Sequence, residues 1–185
     1  QYLVSSIQYH LLFCSMHIIL QTPRLYLRTF TEADAALVQQ LSNEQGILQY
    51  IPEPVLETEE QALKILTDII LPQYEKKLGR WAVHLKESDA FIGWCGLKWL
   101  QETDEIDLGY RFKTSAWGKG YASEAAKATL DYGLNKLMLK KITAHAHIDN
   151  TASQKVLEKI GMQYVGEGID GGLPVKGYVS FPNNQ

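Results

Sequence analysis

One stretch of the sequence joins a predicted β-strand to a predicted α-helix through a loop that carries two glycines. Polar and apolar residues alternate over 105–112, as they do in a strand with one buried face. The loop ends at Gly120, and small residues then recur at helical spacing over 122–134. A helix with small residues on its buried side can lie close to a sheet. This order therefore favours a fold in which helices pack directly on strands.

The loop 117–120 (Trp-Gly-Lys-Gly) has the properties of a phosphate-binding turn. Glycine lets the backbone approach a ligand without a Cβ atom in the way, and the first amides of the following helix attract a diphosphate. Lys119 adds a cation. An ordinary strand-to-helix turn also uses glycine, so the loop alone leaves both interpretations open. Two nucleotide motifs are excluded, because Tyr121 follows Gly120 where a Walker loop has lysine, and Ser123 replaces the third glycine of a dinucleotide fingerprint.

Strands and helices alternate along the rest of the chain. Alternating or β-rich runs predict a first strand that begins at Met16, and further strands at 24–28, 81–86, 91–100, 141–148, 162–165 and 176–181. Cap residues predict helices that begin after Thr31, Thr58 and Asn150. Pro72 is expected to stop or kink the second of these helices, and Gly161 to end the last. Hairpin-like strands interspersed with helices predict an α/β (α+β) fold with a mixed, mostly antiparallel sheet.

Length and charge indicate one domain that does not bind nucleic acid. With 185 residues, 45% of them hydrophobic, the chain can bury one sizeable core. A net charge of −3 provides no basic field for a phosphate backbone. The two cysteines, Cys14 and Cys95, lie far apart and lack the spacing of a metal or disulfide site. We therefore expect no metal and a reducing, cytoplasmic location.

An apolar run near the start of the sequence is too short to form a membrane anchor. It covers 11–20, whereas a membrane-spanning helix needs about 20 residues, and the basic region of a signal peptide is missing. We therefore expect no membrane association. Residues 1–15 are predicted to be an extension or an artificial remnant, and residues 16–185 a single domain.

Two motifs resemble those of the GNAT superfamily of N-acetyltransferases. The pattern Trp117-x-x-Gly120-x-Ala122 is similar to the acetyl-CoA loop Gln/Arg-x-x-Gly-x-Gly/Ala, with Trp117 as a departure. The segment 150–162 resembles the family's Asn-x-x-Ser-x-x-Val-Leu-Glu-Lys-Leu-Gly-Phe. The variant Trp-Gly-Lys-Gly-Tyr-Ala and the opening 22–28 look like the branch of ribosomal-protein N-terminal acetyltransferases (RimJ/RimL type). The order and spacing of these motifs make the resemblance specific.

This resemblance implies the GNAT fold, with a central sheet of six to seven strands flanked by about four helices. The sheet is expected to splay between its fourth and fifth strands, 105–112 and 141–148, with the thioester of acetyl-CoA in the gap. Backbone groups near Tyr110 and Phe112 would pair with the pantetheine arm as if it were an added strand. The coenzyme-binding residues implied by the resemblance are Tyr110, Phe112, Trp117, Gly118, Lys119, Gly120, Tyr121, Ala122, Ser123, Asn150 and Ser153.

Acetyl transfer from a thioester to an amine needs a group that removes a proton from the amine. We predict Glu105 as this base, acting directly or through a water molecule, because family members often carry a carboxylate at the start of this strand. The competing interpretation is an acidic strand entrance that is merely solvated. His145 and His147 are alternatives, since histidine titrates in the right range.

The departing thiolate needs a hydrogen-bond or proton donor. Many GNAT enzymes place a tyrosine seven residues after the asparagine, but Leu157 occupies that position here. We therefore predict Ser153 as the donor, because it matches the residue that meets the sulfur in the ribosomal branch. Helix capping by Asn150, with Ser153 in the first turn, explains the same pair equally well. Cys95 is expected to be an inert core residue rather than a nucleophile.

The predicted function is transfer of an acetyl group from acetyl-CoA to a primary amine, either a protein N-terminus or a small molecule. The competing hypothesis is a catalytically weak acyl-CoA-binding module, which the missing tyrosine makes conceivable. The loops 42–57 and 167–174 are expected to choose the acceptor. Stoichiometry stays open between a monomer and a homodimer, since an exposed strand near the C-terminus can pair with a second copy.

Overall fold

The computed structural model describes residues 17–51 and 53–182, so the predicted extension 1–15 and the strand start at Met16 lie outside the described residues. The described residues form eight strands: β1 Ile18–Gln21, β2 Leu25–Arg28, β3 Gly79–Leu85, β4 Phe91–Leu100, β5 Glu105–Phe112, β6 Ile142–His147, β7 Gln163–Asp170 and β8 Leu173–Ser180. They also form four α-helices: α1 Ala35–Ser42, α2 Glu59–Ile65, α3 Tyr121–Asp131 and α4 Thr151–Lys159. Within these ranges, no helix combines the length and the apolar character needed to cross a lipid bilayer.

The strands form one sheet in the order β1-β2-β3-β4-β5-β6-β8-β7. Neighbouring strands are antiparallel, except for the parallel pair of β5 and β6. Among the described residues, β5 and β6 pair only at Asp107 and Thr143, so the two strands separate toward Phe112 and His147. The predicted α/β (α+β) class and the predicted opening between these two strands are confirmed.

The sheet has one strand more than the six to seven predicted. β1 pairs with β2 from Ile18 to Arg28 and therefore counts as a full strand. The tight turn between them is closed by Thr22, whose backbone N–H donates to the carbonyl oxygen of Leu25 at 2.9 Å. As a consequence, the opening lies between the fifth and sixth strands of the chain rather than the fourth and fifth.

The hairpin of β7 and β8 is longer than predicted. β7 continues to Asp170 and β8 begins at Leu173, so the expected loop 167–174 is mostly strand and that prediction is wrong. Gly171 and Gly172 have φ angles of 55° and 81°, and two successive residues with positive φ make the tight turn that suits the twist of paired strands. The error has a physical cause, because β7 lies at the sheet edge with nearly every residue exposed, and such a strand carries no alternating apolar pattern.

Pro72 kinks the second helical segment instead of ending it. The segment begins at the predicted capping box, in which Thr58 Oγ1 accepts a hydrogen bond from the N–H of Gln61 at 3.3 Å. After α2 the helical path continues as a π-helix, Leu66–Ile70, and a 3-10 helix, Leu71–Lys76. Proline lacks an N–H and its ring clashes with the carbonyl four residues earlier. The wider π-helical turn before Pro72 accommodates that clash.

Each face of the sheet carries its own hydrophobic core. Helices α3 and α4 cover one face, where Trp81, Leu97 and Ile142 are buried. Helices α1 and α2 cover the other face, where Phe30 and Leu66 are buried. The sheet therefore separates two packed hydrophobic layers.

The small residues predicted along α3 let the helical segment lie close to the sheet. A Cβ atom at Gly133, just after α3, would lie only 2.6 Å from Ile142 Cδ1. Cys95 is fully buried below this helix, with its Sγ 3.4 Å from Thr129 Oγ1. Burial raises the pKa of the Cys95 thiol to about 12. The expectation that Cys95 is inert core is therefore consistent with its surroundings.

Candidate active site

A cavity of about 550 Å³ lies where β5 and β6 separate. Its walls are the end of β5, the loop before α3, the first turn of α4 and parts of 46–51. The predicted coenzyme residues that line it are Tyr110, Phe112, Trp117, Gly118, Gly120, Tyr121, Ala122, Ser123, Asn150 and Ser153. Lys119, Glu105 and the two alternative bases His145 and His147 are not part of the lining. One opening thus brings most of the predicted residues together, while their contacts with a coenzyme stay a prediction.

The loop 117–120 has the backbone of a phosphate-binding turn. Gly118 and Gly120 have φ angles of 73° and 79°, a region that favours glycine, and Gly120 is the N-cap of α3. The first amides of a helix have no partner within the helix, so those of α3 are available to a ligand. Trp117 Nε1 donates to the carbonyl oxygen of Phe112 at 2.8 Å. Trp117 therefore ties the loop to β5, whereas the family pattern has a polar side chain at this position.

An ion pair between distant residues holds this loop against the turn that joins β1 and β2. Arg24 Nε donates to Glu124 Oε2 at 2.6 Å, and Arg24 Nη1 donates to the carbonyl oxygen of Lys119 at 3.0 Å. The Arg24 guanidinium also lies 4.5 Å from the centre of the Tyr121 ring. Burial alone would raise the pKa of Glu124, but hydrogen bonds from Thr22 and Arg24 hold it below its ordinary value. The family-like opening of the sequence was the only signal for this contact.

Ser153 and Tyr110 form a hydroxyl pair inside the cavity. Asn150 caps α4 through its Oδ1, which accepts from the N–H of Ser153 at 3.0 Å, so the capping role is confirmed. The Oγ of Ser153 lies 2.8 Å from the Oη of Tyr110. Burial raises the pKa of Tyr110 well above its ordinary value, although the hydrogen bond with Ser153 opposes this. Tyr110 therefore stays protonated, and its single O–H proton can be donated either to Ser153 Oγ or to the carbonyl oxygen of Ser153, which lies 3.1 Å from Tyr110 Oη.

The acidic residue at the sheet opening is Asp107, while Glu105 lies at the far end of the same strand. Glu105 Oε1 accepts from Lys141 Nζ at 2.6 Å, and about 16 Å of extended strand separates it from the hydroxyl pair. Asp107 Oδ2 accepts from Arg80 Nη2 at 2.7 Å, and its Oδ1 lies 3.8 Å from His145 Nδ1. Sequence patterns place both carboxylates on one face of β5 and could not distinguish between them.

The charges around His145 favour its protonated form. Burial would raise the pKa of Asp107, but contacts with His145 and Arg80 hold it below its ordinary value. The Asp107 carboxylate in turn raises the pKa of His145 above its ordinary value, and this outweighs the opposing effect of burial. Asp170 and Glu105 raise the pKa of His145 further. The His145 side chain keeps 31% of its surface exposed, so a substrate or water can reach it.

His147 connects the two sides of the opening. Its Nδ1 accepts from the N–H of Asp149 at 3.1 Å, and its ring centre lies 5.3 Å from that of Tyr50. Tyr50 belongs to the segment that lines the cavity opposite β5. The contact of the two rings therefore fastens this segment to β6.

A second cavity, of about 340 Å³, lies on the other face of β5 beside α1 and α2. Its lining includes apolar residues of the helices together with Glu53, Arg80, Trp94, Lys98 and Arg111. Arg111 lines both cavities. The predicted acceptor loop 42–57 contributes to both linings, whereas no described residue of 167–174 contributes to either.

Sequence comparisons identify acetyltransferases. The model of the acetyltransferase (GNAT) domain matches residues 24–163. The uncharacterized N-acetyltransferase p20 of Bacillus licheniformis is 32% identical over 151 residues, which make up 80% of this chain and 83% of the relative. The uncharacterized N-acetyltransferase YnaD of Bacillus subtilis is 34% identical over 151 residues, which make up 82% of this chain and 85% of the relative.

Solved structures of similar fold are acetyltransferases as well. A GNAT-family acetyltransferase from Bacillus anthracis has a TM-score of 0.75 at 28% identity, with coverage of 90% of this chain and 98% of that one. RimL, a ribosomal L7/L12 α-N-protein acetyltransferase in complex with coenzyme A, has a TM-score of 0.77 at 18% identity, with coverage of 90% and 99%. The likeness to RimL concerns the fold alone. Sequence motifs, fold and relatives agree, and the chain belongs to the GNAT family of N-acetyltransferases.

Proposed function

We propose that this N-acetyltransferase takes the acetyl group from acetyl-CoA and transfers it to a primary amine, which attacks the thioester directly. The observation that carries the proposal is the cavity at the sheet opening. It unites a phosphate-type loop, an unpaired edge of β5 and the hydroxyl pair of Ser153 and Tyr110. These three parts suit the diphosphate, the pantetheine arm and the sulfur of the coenzyme.

The diphosphate would bind at the first turn of α3. Apart from Gly118 itself and its two neighbours in the chain, no described residue has an atom within 4 Å of the place where a Cβ atom of Gly118 would stand, so the loop has open space for a ligand. Lys119 lies outside the cavity lining and would act as a cation at its rim. The pantetheine amides would pair with β5 between Tyr110 and Phe112, because β6 has left that edge. A backbone N–H of this edge can then stabilise the oxyanion of the tetrahedral intermediate.

The hydroxyl pair would receive the departing thiolate. When Tyr110 donates its O–H to Ser153 Oγ, the Ser153 hydroxyl proton is free to point at the sulfur. As the new N–C bond forms and the C–S bond breaks, Ser153 would donate this proton to the thiolate. Many GNAT enzymes have a tyrosine at the position that Leu157 occupies on α4. In this chain, Tyr110 on β5 would supply the phenol group instead.

Removal of the amine proton is best supported at His145, one of the two histidine alternatives to Glu105. Asp107 lies beside His145 Nδ1, and the exposed part of the ring can accept a proton directly or through water. Neither His145 nor Glu105 lines the coenzyme cavity, but the Glu105 carboxylate is engaged by Lys141 at the start of β5, away from the opening. Its predicted role would require a water chain along the strand.

The proposal is tested by mixing the protein with acetyl-CoA and a panel of primary amines while free thiol is measured. We expect thiol release that depends on one class of amine, together with a calorimetric signal for coenzyme A binding. Binding without release on a broad panel would instead support the weak acyl-CoA-binding module. No heat of binding at millimolar coenzyme A would contradict both.

A further inference from the structure

We propose that the second cavity binds the body of the acceptor and favours an amine that carries a carboxylate and an apolar chain, as an aliphatic α-amino acid does. The inference rests on the proposed acetyl transfer and names the substrate class for that reaction. Three observations support it: the position of the cavity, its apolar wall, and a buried guanidinium with an unused N–H group.

The second cavity lies where an acceptor can reach the thioester. It shares Arg111 with the coenzyme cavity, so the two spaces meet at the same stretch of β5. Arg80, which also lines the second cavity, binds Asp107, and Asp107 is the partner of His145. An acceptor in this cavity therefore has the proposed base on its own side of the sheet.

The wall formed by the helices is apolar and the space is small. A volume of about 340 Å³ is near the lower end for ligand pockets, and it suits an amino acid better than a folded protein terminus. Aliphatic side chains from α1, α2 and the segments that follow them make this wall: Val38, Leu41, Leu56, Ile65, Ile69 and Ile70. An aliphatic side chain of the acceptor would be removed from water here.

The polar side of the cavity is cationic. Arg80, Lys98 and Arg111 line it, against the single lining carboxylate of Glu53. Arg80 is already satisfied, since its two Nη atoms donate to Gly96 O and to the Asp107 carboxylate. Arg111 is only 8% exposed, and its Nε has no hydrogen-bond partner among the described residues. A buried N–H without a partner is costly, and an oxygen of the acceptor would satisfy it.

Glu53 holds Arg111 by a contact that an acceptor carboxylate can replace. Arg111 Nη2 donates to Glu53 Oε2 at 2.7 Å, but the Glu53 side chain is 53% exposed, whereas that of Arg111 is 7% exposed. Water can solvate Glu53 when it leaves, while the buried guanidinium needs another anion. A carboxylate can accept from Nη2 and Nε together, which is the side-on geometry that arginine favours. A polyamine would bring further positive charge to a cationic wall.

The test uses three amines that share one branched chain and differ only at the carboxyl group: L-leucine, L-leucinamide and 3-methylbutylamine. Each is offered to the full chain with acetyl-CoA, beside spermidine as a polycation, and kcat/KM is measured. We expect L-leucine to exceed the other three by about tenfold or more, as a charge-assisted contact predicts. Equal or better use of L-leucinamide, 3-methylbutylamine or spermidine would overturn the inference.

Two arginine variants show whether Arg111 is responsible. R111Q is expected to lower the ratio of kcat/KM for L-leucine over 3-methylbutylamine by about tenfold or more. The ratio does not depend on the fraction of folded enzyme, so a loss of stability cannot imitate this result. R28Q is the matched control, because Arg28 is also buried and paired with an acid, Asp34, but lines neither cavity. Equal ratios in R111Q and wild type would contradict the role of Arg111.

The same measurements separate this inference from the proposed function. Acetylation of several amines without a preference for L-leucine would leave acetyl transfer in place and overturn only the substrate class. Absence of acetylation with every amine, together with absent coenzyme A binding, would overturn acetyl transfer and the inference with it.

Discussion

In the proposed mechanism, Ser153 and Tyr110 share the work that many members of the family assign to one tyrosine. Their hydroxyl groups lie 2.8 Å apart although the residues are 43 positions apart in sequence. In this mechanism the serine would meet the sulfur and the tyrosine would complete the hydrogen bonding of the serine. The two residues should therefore act as one unit.

We predict that Ser153→Ala and Tyr110→Phe each lower kcat by about a hundredfold, the lower end of the range for groups that assist proton transfer. The double variant should lose little more than either single one, because the two hydroxyls act together. Steady-state kinetics with saturating acetyl-CoA would measure this. Tyr178→Phe is the control, since Tyr178 is also buried but lies outside the cavity. If the loss of kcat in the double variant equalled the product of the two single losses, the hydroxyl groups would act independently, and this would contradict a shared role.

His145 should set the acidic limb of the pH profile. A base must be neutral to accept a proton, so kcat/KM should rise as pH rises through the His145 pKa, which lies above its ordinary value because of Asp107. His145→Gln is expected to lower kcat/KM by about a hundredfold and to remove this limb. Ionisation of the amine substrate affects wild type and His145→Gln equally. Its contribution therefore cancels when the pH profile of wild type is divided by that of the variant.

Glu105→Gln provides the opposing test for the same step. If Glu105→Gln removed the acidic limb while His145→Gln left it in place, Glu105 would be the base and His145 would not. We expect the reverse, because Lys141 engages the Glu105 carboxylate at the start of β5, whereas His145 lies beside Asp107, closer to the opening.

The turn between β1 and β2 supports the phosphate loop from outside. Arg24 contacts three groups in the loop and at the start of α3, namely the carboxylate of Glu124, the carbonyl oxygen of Lys119 and the ring of Tyr121. Since the Arg24 side chain is 48% exposed, its ion pair should add less than about 1 kcal/mol to the free energy of unfolding. Its main effect should therefore fall on the shape of the loop.

We predict that Glu124→Gln weakens coenzyme A binding about fivefold, which corresponds to about 1 kcal/mol. Titration calorimetry of coenzyme A would measure the change. Asp131→Asn on the same helix is the matched control, because its ion pair with Lys127 is exposed and remote from the loop. An equal loss of affinity in both variants would indicate a general effect of charge on α3 instead of support for the loop.

In the whole molecule, one sheet carries a cavity on each of its two faces. The proposed coenzyme cavity lies on the side of α3 and α4, and the second cavity lies beside α1 and α2. The parallel pair of β5 and β6 opens at the coenzyme cavity. Coenzyme that binds only the folded chain should therefore stabilise the whole domain against unfolding.

We predict that coenzyme A at a hundredfold excess over its Kd adds about 2.7 kcal/mol to the free energy of unfolding. For a domain of this size, Tm should rise by about 5 to 10 °C. Gly120→Ala should lose this shift, because Gly120 has a φ of 79° and caps α3 beside the ligand. Gly161→Ala is the control: its φ of 92° makes alanine equally strained, but it lies outside the cavity and should keep the shift. Equal shifts in both variants, measured by differential scanning calorimetry, would place the diphosphate elsewhere.

Much of the fold, and the strand and helix caps around the predicted coenzyme site, could be predicted from short stretches of sequence. β5 occupies the predicted range 105–112, Gly120 caps α3, and Asn150 caps α4. These features depend on local rules: the two-residue period of a strand, the positive φ that glycine permits, and the hydrogen bond of a cap to its own first turn. No distant residue is needed to satisfy them.

Other features depend on the register with which the strands pair in the folded sheet. The distant contacts of Tyr110 with Ser153 and of Arg24 with Glu124 depend on how β5, α4 and the first hairpin meet. The same register places Asp107, rather than Glu105, beside His145. The alternating pattern of a strand predicts which face of the sheet a side chain occupies. It does not predict which residue of another element lies beside that side chain, because this depends on the register of strand pairing. The sequence by itself therefore determined the backbone of the loop 117–120 and the two helix caps, and the tertiary structure decided which acid, histidine and guanidinium lie near the two cavities, because those distances depend on strand pairing.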